Sequence, residues 1–212
     1  MRLAAAFAPI PAKLEVAPEE GARADLYALI GALFFSPPDS NLLLAIARSE
    51  AFEHASGSAL GTAWRGLQTA AAGADPDAVR NEFEQAFVSA GVPRIPLLGT
   101  YYMAKTGDQG PMVQLLTDLS GLGIAKRKAV AETEDHLSAL CDVMRLLIAG
   151  NGARSPQPID VQQAFFTQQL APWYGALSAA IRAAGDLRFY GAVAACMEQF
   201  FDLERQSFDI DG

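Results

Sequence analysis

The chain has 212 residues, which is enough for one sizeable domain. Hydrophobic residues make up 51% of it and charged residues 19%, a balance that indicates a packed globular protein and excludes a disordered one. The formal net charge of −8 argues against duplex DNA or an anionic membrane as partner, because phosphate groups are bound by clustered Lys and Arg. The same charge suits a basic ligand.

Residues 1–20 are predicted to form a loosely ordered arm, because Pro9 and Pro11 interrupt a short apolar stretch; a signal peptide is the alternative. No stretch of the sequence approaches the roughly 18 apolar residues that a membrane-spanning helix needs, and the two cysteines fit best in a cytoplasmic protein. Cys141 and Cys196 lack CxxC spacing, and we expect both to be free, reduced thiols.

Apolar residues recur at helical spacing along most of the chain. The first helix is predicted in "RADLYALIGALFFSPPD", where Pro37 and Pro38 end it, and Asp39 or Ser40 can cap the second. No alternating strand pattern is present. The sequence therefore predicts an all-α, bundle-like single domain over residues 21–212, with roughly eight to ten helices. The remaining helices are expected near residues 59–72, from 76, from 112, from within "ETEDH" at 132–136, and near 160–170, 173–184 and 189–203.

Two segments interrupt the helical pattern. The stretch "GVPRIPLLGTYYMAKTGDQG" is rich in Pro and Gly and contains the adjacent Tyr101 and Tyr102, so we expect an irregular loop. Aromatic residues in loops often form binding surfaces, although they also pack between helices. Residues 149–158, "AGNGARSPQP", are predicted to be a linker and a candidate hinge, which would allow either a monomer or a domain-swapped homodimer.

The stretch "ETEDHLSAL" places three carboxylates and an imidazole directly before an apolar run. A di-iron site would need ExxH pairs, and consecutive residues point about 100° apart around a helix, so these side chains cannot all converge on a metal. Residues that are neighbours in sequence, such as Asp135 and His136, do not have the geometry that a catalytic triad requires. The sequence also lacks the glycine-rich motif of a phosphate-binding loop. We expect no metal, cofactor or catalytic residue. The simplest interpretation is a helix start, where acidic residues meet the positive end of the helix dipole.

The phrase "FFTQQLAPWYGALSAAI" places Pro172 at the predicted first position of a helix, with Trp173 next to it. A tryptophan here is typical of a core anchor, and the alternative is a residue that lines a groove. We expect Trp173 and Phe165 to be core or groove-lining residues and Glu134 to be largely solvated.

Taken in order over about 180 residues, these phrases resemble the TorD/DmsD family of cytoplasmic chaperones for molybdenum enzymes. "RADLYALIGALFFSPPD" is similar to the family's first helix, "EFEQAFVSAGVPRIPLLGTYY" to its central loop, "ETEDH" to its E-P-x-D-H motif, and "QQLAPW" to its H-L-x-P-W segment. The sequence departs from this pattern at Thr133, where the family usually has Pro, at Gly99 and Thr100, where it often has Ser, and at Gln169, which replaces the His.

The resemblance implies a binding protein and not an enzyme. It implies recognition of the twin-arginine signal peptide of an apo-molybdoenzyme of the DMSO reductase superfamily, which is held back from export while molybdopterin cofactor is inserted into that client. The family's Asp–His pair, Asp135 and His136, is implicated in peptide binding. On this basis we predict the following peptide-binding residues: Leu98, Tyr101, Tyr102, Glu132, Glu134, Asp135, His136, Gln169, Pro172 and Trp173.

Two alternatives from other classes stay open. The first is an assembly or scaffold subunit of the nitrate reductase delta type, which would bind the body of the enzyme without reading a signal peptide. The second is a weak nucleotide hydrolase, which the missing phosphate loop disfavours.

Overall fold

A computed structural model describes residues 17–49, 57–105, 107, 109–125 and 133–210. This part of the chain contains ten helices and no strand, so the predicted all-α fold is confirmed. Two isolated backbone bridges, Leu98 with His136 and Asn151 with Arg154, are the β-type pairings found within the same ranges. The helices are α1 (Pro18–Phe35), α2 (Ser40–Arg48), α3 (Ala59–Ala72), α4 (Pro76–Phe87), α5 (Gly99–Met103), α6 (Gly110–Gly121), α7 (Leu137–Ala149), α8 (Ile159–Gln169), α9 (Tyr174–Ala183) and α10 (Arg188–Ile210).

Local sequence signals account for several helix starts. The Asp39 carboxylate accepts a hydrogen bond from the Leu42 backbone N–H, so the predicted cap of α2 is confirmed. Ser58 caps α3 in the same way, and Asp75 does so for α4, where Pro76 occupies the first helical position. These side chains satisfy backbone donors that the first turn of a helix leaves without a partner.

The helices form two compact units, each built from separated parts of the chain. The first unit contains α1 and α5–α8. Its longest buried element is α7, in which every residue except Arg145 is buried, and α1 packs against it. A Cβ added at Gly31 of α1 would lie 3.2 Å from the Cβ of Cys141, so glycine allows the two helices to approach closely.

The second unit contains α2–α4, α9 and α10, and α10 packs against α3, α4 and α9. The Glu82 carboxylate on α4 accepts from the backbone N–H groups of Arg188, Phe189 and Tyr190 at 3.0–3.2 Å. A carboxylate at this position satisfies the orphan donors of the α10 N-terminus and interacts favourably with its dipole. Sequence reasoning did not find this cap because Glu82 lies more than a hundred residues before the helix that it caps.

Several predicted boundaries differ from the structure. The short helix α5 occupies part of the predicted irregular loop, and α7 begins at Leu137, after and not within "ETEDH". Pro172 does not start a helix, because α9 begins at Tyr174, and α10 continues to Ile210. The predicted arm at residues 1–20 lies mostly outside the described residues, although α1 already begins at Pro18.

Candidate functional site

In the first unit, two segments that are distant in sequence are joined by backbone hydrogen bonds. The Gly99 N–H donates to the Asp135 carbonyl, and the Leu137 N–H donates to the Leu97 carbonyl, each at 2.9 Å. The bridge between Leu98 and His136 lies at the same place. The Pro- and Gly-rich loop and the "ETEDH" motif therefore form one structure, which we call the loop junction (residues 97–102 and 133–137).

Asp135 is buried at the loop junction, with 2% of its surface exposed. Its carboxylate accepts from the Thr100 N–H at 3.1 Å and from the Thr100 hydroxyl. It also accepts from the Thr133 hydroxyl at 2.5 Å. Hydrogen bonds to an ionised acceptor are stronger than neutral ones, so this carboxylate fixes the start of α5 against the "ETEDH" segment.

His136 is the N-cap residue of α7 and is half-buried. Its Nδ1 accepts from the Ser138 backbone N–H at 3.2 Å and lies 2.7 Å from the Ser138 hydroxyl. A ring nitrogen that accepts a hydrogen bond carries no proton, so this geometry assigns the Nε2–H tautomer to the neutral ring. The imidazole thus takes the capping position that is usually held by Ser, Thr, Asp or Asn.

The aromatic residues of the loop junction stack in a row that ends in the core. Trp173 is 1% exposed, and its Nε1–H donates to the Gln169 carbonyl at 2.7 Å. The Tyr102 ring stacks on Trp173 with ring centroids 5.5 Å apart, and Tyr101 meets Tyr102 edge-on. Burial, followed by the nearby Tyr101, raises the pKa of Tyr102 to about 12. Tyr101 itself is 57% exposed, so the row begins at the surface.

Two residues allow this packing. A Cβ added at Gly99 would lie 3.1 Å from Trp173 Nε1, a tight contact that would press on the buried indole. The Gln169 side-chain amide donates to the Asp118 carboxylate at 2.6 Å, while its carbonyl accepts from Trp173. Gln169, which replaces the family's histidine, therefore connects α6 to the aromatic row.

Eight of the ten predicted site residues lie at or beside the loop junction: Leu98, Tyr101, Tyr102, Glu134, Asp135, His136, Gln169 and Trp173. Glu134 is half-buried beside Asp135 and not largely solvated as predicted, and Pro172 is exposed in the turn before α9. Glu132 lies outside the described residues. Trp173 and Phe165 are both buried. That these residues bind a peptide stays a prediction.

The structural roles of Gly99, Thr100, Thr133 and Asp118 were not predicted from the sequence. Three of these residues could have been singled out from the sequence, because Gly99, Thr100 and Thr133 are the positions where the chain departs from the family pattern.

Within the described ranges, no three His, Cys, Asp or Glu side chains are grouped so that they could hold a metal ion. In the same ranges, no helix combines the length and the apolar character that crossing a membrane requires.

The chain matches a known protein family. The profile of the family described as nitrate reductase delta subunit matches residues 53–179, which is more than half of the chain and includes the whole loop junction. The chain belongs to this family. The family comprises redox enzyme maturation chaperones of the TorD and nitrate reductase delta type, so the resemblance predicted from the sequence is confirmed. Its members are assembly factors and not catalysts, and membership implies binding to a molybdoenzyme subunit. No curated protein sequence matches the chain.

Proposed function

We propose that this maturation chaperone acts in the cytoplasm and binds the twin-arginine signal peptide of an apo-molybdoenzyme of the DMSO reductase superfamily. Peptide binding delays export of the client until its molybdenum cofactor has been inserted. The contact surface is the loop junction, with Tyr101, Glu134 and His136 at the surface and Tyr102 and Trp173 behind them.

The observation that carries this proposal is the arrangement of charge and aromatic surface at one place. Tyr101 is 57% exposed although it belongs to a stacked row, and Glu134 is a carboxylate on the segment bonded to the same loop. A leader peptide with two guanidinium groups and an apolar stretch needs both features, since carboxylates form charge-assisted bonds to arginine and exposed aromatics bind apolar residues. The net charge of −8 adds a favourable long-range field.

Asp135 and Glu134 have different roles in this proposal. The Asp135 carboxylate already accepts three hydrogen bonds from Thr100 and Thr133 and is buried. It acts as a positioning residue, because releasing it to bind a guanidinium would leave those donors unsatisfied. Glu134 supplies the charge at the surface. A direct contact between Asp135 and an arginine stays a prediction.

The second candidate is the scaffold role, in which the chain binds the folded body of the client without reading its leader. The match to the nitrate reductase delta subunit family supports it. The two candidates differ in one measurable property, which is whether the client's leader peptide binds on its own.

The test is a calorimetric titration of the synthetic leader peptide of the molybdoenzyme that co-purifies with the chain from its native host. Tyr101→Ala and Glu134→Gln should each weaken binding by about 3- to 30-fold, as expected for losing an aromatic anchor or a charge-assisted bond. The controls are Val92→Ala, another exposed apolar residue, and Glu84→Gln, an acid exposed on α4, which should both bind like wild type. Binding of the leaderless client together with no binding of the leader would overturn the proposal in favour of the scaffold.

A further inference from the structure

Asp118, on α6, and Gln169, the last residue of α8, form a hydrogen-bonded pair outside the loop junction. The Gln169 side-chain amide donates to one oxygen of the Asp118 carboxylate at 2.6 Å, and the Gln114 amide donates to the other oxygen at 2.7 Å. Both carboxylate oxygens therefore already accept a hydrogen bond within the chain, and an added ligand would have to displace one of these donors. The carboxylate is placed to hold a neighbouring side chain.

The Trp173 indole takes its position from Gln169. Gln169 is 2% exposed, and its carbonyl is one of the last carbonyls of α8, which lack a partner within the helix. The Trp173 Nε1–H donates to this carbonyl at 2.7 Å, and an indole has only this one hydrogen-bond donor. Because the Gln169 side chain is bonded to Asp118, the movement of the carbonyl that orients the indole is restricted.

Two further aromatic rings connect the indole to the surface. The Tyr102 ring stacks on the indole at an interplanar angle of 16°, and the Tyr101 ring meets Tyr102 at 82°. Tyr101, the contact residue of the proposed function, is 57% exposed. Stacked and edge-on pairs hold rings in preferred geometries, so a rotation of the indole changes the direction in which the Tyr101 ring faces solvent.

We propose that Asp118 and Gln169 are positioning residues for recognition of the leader peptide. They orient Trp173, and through Tyr102 they set the direction in which the Tyr101 ring meets the peptide, without contacting the peptide themselves. Gln169, predicted above as a peptide-binding residue, thus acts through the indole. This inference rests on the proposed function for the peptide and for the Tyr101 contact, and it makes affinity depend on two residues outside the contact surface.

The experiment exchanges the donor and the acceptor of the pair. Asp118→Asn and Gln169→Glu each keep the shape of the side chain, but the first removes an acceptor and the second removes the donor. In the double variant the new amide can donate to the new carboxylate, which restores the hydrogen bond with reversed polarity and keeps the net charge at −8. Asp25→Asn, which removes an exposed carboxylate from α1, is the control for loss of charge.

Binding of the synthetic leader peptide, taken from the molybdoenzyme that co-purifies with the chain, is measured by calorimetry. We expect binding about threefold weaker for Asp118→Asn and about tenfold weaker for Gln169→Glu, which also places two carboxylates side by side. The double variant and the Asp25→Asn control should bind within about twofold of wild type. The single substitutions change the net charge in opposite directions, so charge alone would weaken binding of a basic peptide in one variant and strengthen it in the other.

The indole N–H resonance of Trp173 reports the position of the ring in the same variants. The chain has two tryptophans, and Trp64→Phe assigns their resonances. Each single substitution should shift the Trp173 resonance, and the double variant should return it towards the wild-type position. A loss of stability alone would leave the resonance of the folded protein where it is.

The outcomes separate this inference from the proposed function. Leader binding that both single substitutions leave unchanged overturns the inference and retains the proposed function, and so does a folded double variant that binds as weakly as Gln169→Glu. No leader binding by the wild-type chain overturns both. If Gln169→Glu does not fold, Gln169→Met removes the donor without adding charge and should weaken binding about threefold, and binding equal to wild type would overturn the inference.

Discussion

At the scale of single residues, Asp135 explains why a motif that looks like a helix start holds a loop together. Its carboxylate faces Thr100 and Thr133, two hydroxyl residues at positions where the family pattern has other residues. Asparagine has the same shape as aspartate but is neutral, and its amide nitrogen donates hydrogen bonds and cannot accept them. The Asp135→Asn substitution therefore tests this role.

Asp135→Asn should lower the free energy of unfolding by about 1–3 kcal/mol, since it leaves at least one buried donor without an acceptor. Urea denaturation followed by far-UV circular dichroism measures the change. Asp25→Asn, on the exposed face of α1, is the control for charge loss and should change stability by less than about 0.5 kcal/mol. Equal effects of the two substitutions would mean that Asp135 does not fix the loop junction.

Gly99 gives a second test at this scale. Gly99→Ala should destabilise the protein by about 1–2 kcal/mol, because the new Cβ would lie 3.1 Å from Trp173 Nε1 and that indole is buried and bonded to Gln169. Gly66→Ala is the matched control: Gly66 lies within α3 with no atom within 4 Å of an added Cβ. The control should stabilise the protein by about 0.5–1 kcal/mol through helix propensity. Stabilisation by both substitutions would contradict the close contact at Trp173.

At the scale of helices, the sequence predicted the elements that depend on local periodicity. Helix α3 was predicted at residues 59–72 and found at Ala59–Ala72, and α4 begins at Pro76, where its start was predicted. The start of α7 was missed because acidic residues before an apolar run also occur as helix caps, and only the bonds to Leu97 and Gly99 show that they belong to a loop. Those bonds join positions nearly forty residues apart, and the local spacing of apolar residues carries no information about contacts at that separation.

The contact between α1 and α7 is an element-scale feature that can be tested. Gly31→Ala should destabilise the protein by about 1–3 kcal/mol, because its Cβ would lie 3.2 Å from Cys141 Cβ and 3.4 Å from the Ser138 carbonyl oxygen, in a buried helix pair. Gly21→Ala, earlier in α1 with nothing near the added Cβ, should be neutral or stabilising. Thermal unfolding of the two variants at matched concentration measures the difference, and equal melting temperatures would show that α1 moves away from α7 at little cost.

At the scale of the whole molecule, each unit contains one buried thiol: Cys141 in the first and Cys196 in the second. Burial, and for Cys141 also the charge of Asp142, raises both pKa values, that of Cys196 from 9.0 to about 12. The folded state therefore holds these thiols protonated at a pH where an unfolded chain ionises them. Their contribution to stability is complete below the unfolded pKa and is lost as pH rises through the folded one.

Cys196→Ala should make stability less sensitive to alkaline pH. Between pH 9 and about 11, wild-type unfolding free energy should fall more steeply than that of the variant by about 1.4 kcal/mol per pH unit. Urea titrations at half-unit pH intervals measure the slopes. The internal control is the range from pH 6 to 8, where the two slopes should coincide, and parallel curves above pH 9 would show that Cys196 titrates alike in both states.

The order of the segments along the chain has a consequence for how the protein is made. Helix α1 ends at Phe35 and its partner α7 begins at Leu137, so about 100 residues are translated between the two. At about 5–20 residues per second, α1 leaves the ribosome some 5–20 seconds before α7 is available to cover its apolar stripe. The second unit is completed later still, because α3 and α4 pack against α10, which begins only at Arg188. A member of a family of enzyme maturation chaperones thus itself spends a long interval as a nascent chain with uncovered apolar helices.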